Sequence, residues 1–213
     1  ASNVSSNSWT TTVLFSENFE GVTPPDIGNK FIKGKVSSSP APINWVSAQE
    51  GSSKVVWSDH SMPYANDAQT FIDSSSINLS GKQAALLTFD LFCDTDRTFA
   101  YTDFVAVYAS NNGGSSITRI GRIDENDMSF LPGATALRNG FRSPMEFDIS
   151  PYISAQTMIE FRWETNGSNE VSSNYEGCFL DNIQIFEGVT TYGYRFLDGN
   201  SMAAPHVAGE AAM

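Results

Sequence analysis

The stretch Ala85-Leu86-Leu87-Thr88-Phe89-Asp90-Leu91-Phe92 decides the fold. Leu87, Phe89 and Leu91 alternate with polar neighbours, and this spacing of two residues is typical of a strand with one face in a core. An amphipathic helix would instead repeat its apolar residues every three or four positions. We therefore predict a β-strand here, with these three side chains on one face.

Similar strand-length stretches occur along most of the chain. They cover residues 13–15, 54–57, 104–109, 117–123, 145–149, 158–163 and 179–186. Asn111-Asn112-Gly113-Gly114 is a strong turn signal and predicts a hairpin between two of these strands. No convincing amphipathic helix precedes residue 189. Short strands at this spacing predict an all-β, antiparallel sandwich or barrel over residues 1–188.

The composition changes over residues 189–213. An alanine-rich run follows Ser201, which is a good N-cap residue, and Pro205 is tolerated only near a helix start. We predict a short helical segment here. The sequence stops at Met213 while the helical pattern is still running, so we expect the natural protein to continue.

Charge and cysteine content narrow the class of protein. The 24 acidic and 12 basic residues give a net charge of −12, which disfavours nucleic acid and anionic membranes as partners. No apolar run is long enough to span a membrane, and no signal peptide opens the sequence. Cys93 and Cys178 either form one bridge or stay free, because Ile183 and Ile185 suggest the opposite facing for Cys178. We expect a secreted, extracellular protein.

The segment from Gly199 to Gly209 carries a recognisable motif. Ser201-Met202-Ala203-Ala204-Pro205-His206-Val207-Ala208-Gly209 resembles the serine motif of subtilisin-like proteases, with Asn200 in place of their usual threonine. The resemblance implies that Ser201 attacks the peptide carbonyl of a protein or peptide substrate. A serine at a helix N-terminus also suits this role, because the backbone N–H there can stabilise an oxyanion.

The other two members of a catalytic triad are missing from this sequence. In the family, the base and the aspartate lie upstream in His-Gly-Thr and Asp-Ser/Thr-Gly contexts, and neither context occurs here. His206 matches a helix-packing residue of the motif, and His60 lacks the flanking pattern. We expect residues 189–213 to need a parent catalytic domain, and this chain alone to be inactive.

Residues 13–187 resemble the jelly-roll modules of bacterial secreted proteases and adhesins, which are similar to MAM-type domains and carbohydrate-binding modules. The resemblance rests on five short runs in the shared order, at residues 15–21, 76–81, 103–108, 148–152 and 177–183. It implies a jelly-roll sandwich. It also implies one structural Ca²⁺ held by Glu20 and Asp181, with backbone carbonyls of Asn18 and residues 49–54 as further ligands. The alternative is a solvated Glu20 and an Asp181 bonded to nearby backbone.

Two functions fit this sequence. The first is a fragment of a secreted subtilisin-like endopeptidase, in which the sandwich is a non-catalytic insert before the nucleophile segment. The second is an extracellular module that binds a glycan or a protein without catalysis, with Trp9, Trp45, Trp57 or Tyr64 stacking on sugar rings. We expect most of these aromatic residues to belong to the core instead.

Overall fold

A computed structural model describes residues 2–50, 52–59, 64–95, 103–123, 135–136, 142–166 and 177–195. For residues 2–11, 135–136, 142–144 and 189–195 it describes the backbone. The predicted helix after Ser201 lies outside these residues. Within them the chain is all-β apart from one 3₁₀ turn at Ser150–Tyr152, and no helix there is long and apolar enough to cross a membrane.

In the described parts of the chain, twelve strands form two antiparallel sheets. The strands are β1 Ser2–Glu17, β2 Phe31–Lys35, β3 Val46–Glu50, β4 Ser53–Trp57, β5 Gln69–Ser74, β6 Ala84–Asp94, β7 Phe104–Ser110, β8 Thr118–Ile123, β9 Thr135–Ala136, β10 Arg142–Asp148, β11 Met158–Glu164 and β12 Gly177–Arg195. The larger sheet has the order β3-β4-β12-β6-β10-β9, with β1 also paired to β12. The smaller sheet has the order β2-β5-β11-β7-β8.

The core lies between the two sheets. Leu87, Phe89 and Leu91 of β6 are buried, as their alternation predicts. Phe89 meets Phe161 of the smaller sheet edge-on, with ring centres 4.9 Å apart. Such aromatic contacts add to the hydrophobic burial that holds two sheets face to face. The predicted antiparallel sandwich is therefore confirmed.

A bulge in β12 explains why the facing of Cys178 was ambiguous. The pairing of β12 with β6 shifts between Asp181 and Gln184, and Asn182 there has a positive φ of 49°. The extra residue lets both Cys178 and Ile183 face the core despite their opposite parity. Cys178 lies opposite Cys93 and is bonded to it, so the disulfide that we left open is formed.

A two-stranded ribbon continues beyond the sandwich. The pairing of β12 with β6 ends at Gly188, whereas its pairing with β1 continues to Ser2 opposite Arg195. Within the described residues, Val189–Arg195 therefore has β1 as its sole strand partner. At about 3.3 Å per residue the ribbon is roughly 20 Å long. Residue 188, where we predicted a domain boundary, lies within β12, which continues to Arg195.

Four strands were not anticipated from the sequence. These are β2, β3, β5 and β9. Residues 69–74 read Gln-Thr-Phe-Ile-Asp-Ser, where only two side chains are strongly apolar. Both sides of β5 are nevertheless paired within the smaller sheet, to β2 and to β11. Tertiary pairing here outweighs a weak local preference.

Candidate functional site

The outer face of the smaller sheet concentrates charged and aromatic side chains. Because side chains alternate along a strand, the residues between the core positions of β5, β7 and β11 point away from the core. We define the outer face by six of them. They are Phe71, Asp73, Tyr108, Glu160, Arg162 and Glu164.

Arg162 is the centre of the outer face. Its Nε lies 2.6 Å and its Nη2 2.5 Å from Oε1 of Glu160. Its guanidinium carbon lies 4.4 Å from the ring centre of Tyr108 and 6.0 Å from that of Phe71. An ion pair and two aromatic contacts thus hold the guanidinium, which keeps several N–H donors in a fixed plane.

The two aromatic rings are themselves held in place. The Tyr108 hydroxyl donates to Oε1 of Glu164 at 3.1 Å. Phe71 lies across Gly34 of β2 so closely that a Cβ at that glycine would meet the ring at 2.5 Å. Beside them, the Arg122 guanidinium carbon lies 4.0 Å from the Phe104 ring centre. The outer face is therefore pre-formed, with rings and hydrogen-bonding groups interleaved.

Two carboxyl groups face each other across the outer face. Asp73 of β5 is directly opposite Glu160 of β11, and Glu160 is only 3% exposed. Burial, and then the negative charge of Glu160 and a hydrogen bond to it, raise the pKa of Asp73 to about 7, although Arg162 opposes the shift. Burial also raises the pKa of Glu160. At neutral pH this pair is poised to hold a proton.

The aromatic residues suggested as sugar platforms divide into two groups. Trp45 and Tyr64 are buried in the core, as we expected of most of them. Trp57 is partly exposed on the outer side of the larger sheet and stacks on Phe179, with ring centres 5.0 Å apart. Trp9 lies in the part of β1 described by its backbone. Tyr108 and Phe71 of the outer face were not among the aromatic residues that the sequence suggested as sugar platforms.

The three residues predicted to bind Ca²⁺ lie in one neighbourhood. β1 ends at Glu17 opposite Ile183, so Asn18 and Glu20 follow directly beside the β12 bulge. Next to the bulge, Leu180 of β12 pairs with Val56 of β4. Glu20 is tied to the same strand, because its Oε1 accepts the backbone N–H of Lys54 at 3.0 Å.

The donor types in this neighbourhood suit a calcium ion. Glu20 and the buried Asp181 offer carboxylates, and the turn after β1 offers carbonyl oxygens. The Lys54 ammonium now donates to the carbonyls of Glu20 and Val22, at 2.8 and 2.6 Å. No three His, Cys, Asp or Glu side chains cluster at metal-binding distance among the described residues. Backbone oxygens would therefore complete the site, and Ca²⁺ would compete with the lysine for them.

The predicted nucleophile belongs to the last part of the sequence. Ser201 and the whole serine motif lie outside the described residues, as do His206 and His60. The last described residue before the motif is Arg195, at the end of the ribbon.

Comparisons with known proteins find solved structures of similar fold. No family model and no curated protein matches the chain. The K2 cleaved adhesin domain of Lys-gingipain (Kgp) matches with a TM-score of 0.53 at 18% identity, over 81% of this chain and 98% of that domain. The K3 domain of Lys-gingipain from Porphyromonas gingivalis matches with 0.52 at 16% identity, over 83% and 100%. A mannan-recognising carbohydrate-binding module is a looser likeness, at 0.47 and 14% over 88% and 99%. The chain therefore shares the jelly-roll β-sandwich fold of these two Lys-gingipain domains.

The sequence did not reveal the outer face, because the residues that form it lie on strands that are far apart in the chain. The signal that was present is the run Met158-Ile159-Glu160-Phe161-Arg162-Trp163-Glu164, where charged residues alternate with apolar ones. Three charges on the solvent side of one strand are unremarkable alone. Their significance appears only when β5 and β7 bring Asp73, Phe71 and Tyr108 beside them.

Proposed function

We propose that the sandwich is a non-catalytic extracellular binding module, and that its ligand is a glycan held on the outer face of the smaller sheet. The observation that carries this is the Arg162 guanidinium fixed between Glu160 and the ring of Tyr108. Sugars present apolar C–H faces that pack on aromatic rings, and hydroxyls that accept from guanidinium and donate to carboxylates. The outer face offers all three partners within one patch.

A glycan array tests this proposal. Tyr108→Ala removes a ring and Arg162→Gln removes the guanidinium, and each should reduce the array signal at least tenfold, as expected for a hot-spot residue. Trp57→Ala is the matched control, because it removes an aromatic side chain from the larger sheet. Loss of binding in Trp57→Ala alone would assign the ligand to the other sheet. Binding to proteins but to no glycan would favour a protein ligand.

We further propose that the module is carried inside a subtilisin-like serine protease, with Ser201 as the nucleophile of the intact enzyme. The sequence motif from Ser201 to Gly209 is the ground for this. The ribbon supports an insertion, because residues 2–8 and 189–195, which enter and leave the sandwich, pair with each other. Closely spaced ends are what domain insertion requires.

Excision of the sandwich from the full-length gene product tests the insertion. Joining Ser8 to Val189 through Asn-Gly would close the ribbon as a hairpin. The shortened enzyme should keep fluorophosphonate labelling of Ser201, whereas the 213-residue chain should not be labelled. Absence of His-Gly-Thr and Asp-Ser/Thr-Gly motifs upstream would overturn the protease proposal and leave the binding module standing.

A structural Ca²⁺ is the third part of the proposal. Glu20, Asp181 and the carbonyl of Asn18 would hold it, beside the β12 bulge. A divalent cation would there neutralise buried charge and join the first strand to the last.

A further inference from the structure

We propose that Asp73 and Glu160 share one proton, and that loss of this proton weakens ligand binding on the outer face. The proposal rests on the proposed binding function of that face. It adds a means by which solution pH controls the site.

The pairing geometry is the first step. Asp73 and Glu160 are directly opposite in the antiparallel register of β5 and β11. Side chains in such pairs have Cβ atoms about 5 Å apart, and like charges placed there repel each other. One proton between two carboxyl groups replaces the repulsion by a hydrogen bond.

The surrounding charges leave one carboxyl group without a cation. Arg162 makes its ion pair with Glu160. Asp73 Oδ1 is buried and has no hydrogen-bond partner among the described residues. A carboxyl group in this position is more stable in its protonated form, because burial disfavours an ionised group without a partner.

The neighbouring strands supply no further cation close to Asp73. On β2, Ile32 lies opposite Asp73, while Lys33 pairs with Ile72 and donates to the carbonyl of Trp45 at 3.1 Å. On β7, Tyr108 lies opposite Glu160, and Arg119 of β8 lies beyond it. Glu164 on β11 accepts from Tyr108. The charged groups around the pair are thus Arg162 beside it, with Arg119 and Glu164 farther along the sheet.

The two shifts of pKa agree with this geometry. The hydrogen bond between the two groups raises the pKa of Asp73 and acts to lower that of Glu160. Asp73 is accordingly the proton donor and Glu160 the acceptor. The pKa of Asp73, about 7, lies in the physiological range.

Ionisation of Asp73 changes the group that the ligand meets. With Asp73 protonated, the guanidinium of Arg162 remains bound to Glu160 and against Tyr108. When Asp73 loses its proton, its carboxylate attracts the Arg162 guanidinium toward Asp73 and away from the Tyr108 ring. Since this arrangement is the proposed ligand contact, affinity should fall as the pH rises through about 7. By linkage, bound ligand must raise the pKa of the pair.

Carbon-13 NMR of the carboxyl groups tests the pair without any ligand. The Asp73 carboxyl signal should titrate near pH 7, and the Arg162 Nε–H signal should move in the same step. Asp73→Asn should abolish the Arg162 step, while Glu164→Gln should retain it. An Asp73 titration complete below pH 5, or an Arg162 signal that does not follow it, would overturn the proposal.

Calorimetry with the glycan that gives the strongest array signal tests the effect on binding. Affinity should fall about tenfold between pH 6 and pH 8 in the natural sequence, within the usual range of coupling between sites. Asp73→Asn should bind equally at both pH values. Equal affinity of the natural sequence at both pH values would refute the proposal that pH controls ligand binding. An array without any glycan signal would refute the glycan-binding function, and the NMR titration would still test the proton shared by Asp73 and Glu160.

Discussion

Among the described residues, each sheet carries one pair of carboxyl groups that face each other across two strands, and the two pairs have different supporting groups. In the smaller sheet, Asp73 faces Glu160, and Arg162 binds only the glutamate. In the larger sheet, Asp90 faces Asp181, and both are only 6% exposed. Asn182 supplies amide donors there. Its backbone N–H donates to Asp181 Oδ1 at 2.7 Å, and its Nδ2 to Asp90 Oδ2 at 2.8 Å.

The difference shows that two facing acidic side chains can have different supporting groups: amide donors in the larger sheet, and an arginine on one member in the smaller. Amide donors stabilise the charged form of a carboxyl group, whereas a carboxyl group without them is most stable with its proton retained. The β12 bulge is what brings Asn182 to the larger-sheet pair. The pairing of β5 with β11 in the smaller sheet is regular and brings no equivalent residue to Asp73 and Glu160.

Asn182→Ala should have the largest effect on stability. It removes the side-chain donor to Asp90 and places an alanine at φ 49°. A hydrogen bond to a charged group contributes about 1.5–3 kcal/mol and the left-handed backbone costs alanine about 1 kcal/mol, so a loss of about 3 kcal/mol is expected. Urea denaturation measures it.

Asn182→Gly separates the two contributions, because glycine accepts the positive φ but lacks the amide. Asn78→Ala is the control: Asn78 is exposed and its Oδ1 accepts the N–H of Ser80 at 3.0 Å. Its loss should be below about 1 kcal/mol. If Asn182→Ala costs no more than Asn78→Ala, the amide is not what stabilises the larger-sheet pair.

Calcium should stabilise the larger-sheet region and leave the smaller sheet unaffected. At a concentration one hundred times its dissociation constant, a bound ion adds about 2.7 kcal/mol and raises the thermal midpoint, and chelation reverses it. Glu20→Ala and Asp181→Ala should each abolish the shift, and the exposed Glu146→Ala should keep it. A Ca²⁺-dependent shift that survives both substitutions would place the ion elsewhere.

Asp73→Asn should stabilise the chain at pH 8 and not at pH 4. The pKa of Asp73 is 3.8 unfolded and about 7 folded, so the natural chain loses stability as the pH rises from about 4 to about 7. The substituted chain lacks this loss. Because the side chain is partly exposed, the gain at pH 8 should be about 1–2 kcal/mol, less than the full shift implies. Urea midpoints that rise equally at both pH values would contradict a titration of Asp73.

Tyr108→Phe should have the smallest effect, a loss of about 0.5–1 kcal/mol, because it removes one partly exposed hydrogen bond. The bond joins the hydroxyl to Glu164 at 3.1 Å. Tyr152→Phe is the control, since that tyrosine's hydroxyl makes no hydrogen bond within the described part of the chain. The NMR step of Asp73 should remain in both. Its loss in Tyr108→Phe would make Tyr108 part of the proton-sharing unit.

The sequence predicts the sandwich well where alternation is strong. Leu87, Phe89 and Leu91 occupy the core face as expected, and the Asn-Asn-Gly-Gly turn joins β7 to β8. It fails at β5 and β2, whose few apolar residues gain their stability from pairing across the sheet. The sequence also could not predict which face of the sheet Cys178 points to. One bulged residue reverses the alternation of side chains between the two faces for all residues after it.

The candidate site could be predicted only in part. Glu160, Arg162 and Glu164 are visible as a polar face of one strand. Their partner Asp73 is far away in sequence, and its raised pKa depends on register and burial, which a sequence does not display. The residues proposed for Ca²⁺ came from a resemblance, and the structure adds the competing ammonium of Lys54.

The ribbon of β1 and β12 also determines how the module responds to mechanical tension. Its two strands are antiparallel and leave the sandwich together, so a force that separates Ser2 from Arg195 opens one pair at a time from the far end. Each step breaks few hydrogen bonds, so the ribbon yields at low load. The force reaches the sandwich only when the opening arrives at Trp9, opposite Gly188, where β12 also pairs with β6. The ribbon thus provides about 20 Å of extensible chain on each strand before a force applied at its ends reaches the sandwich.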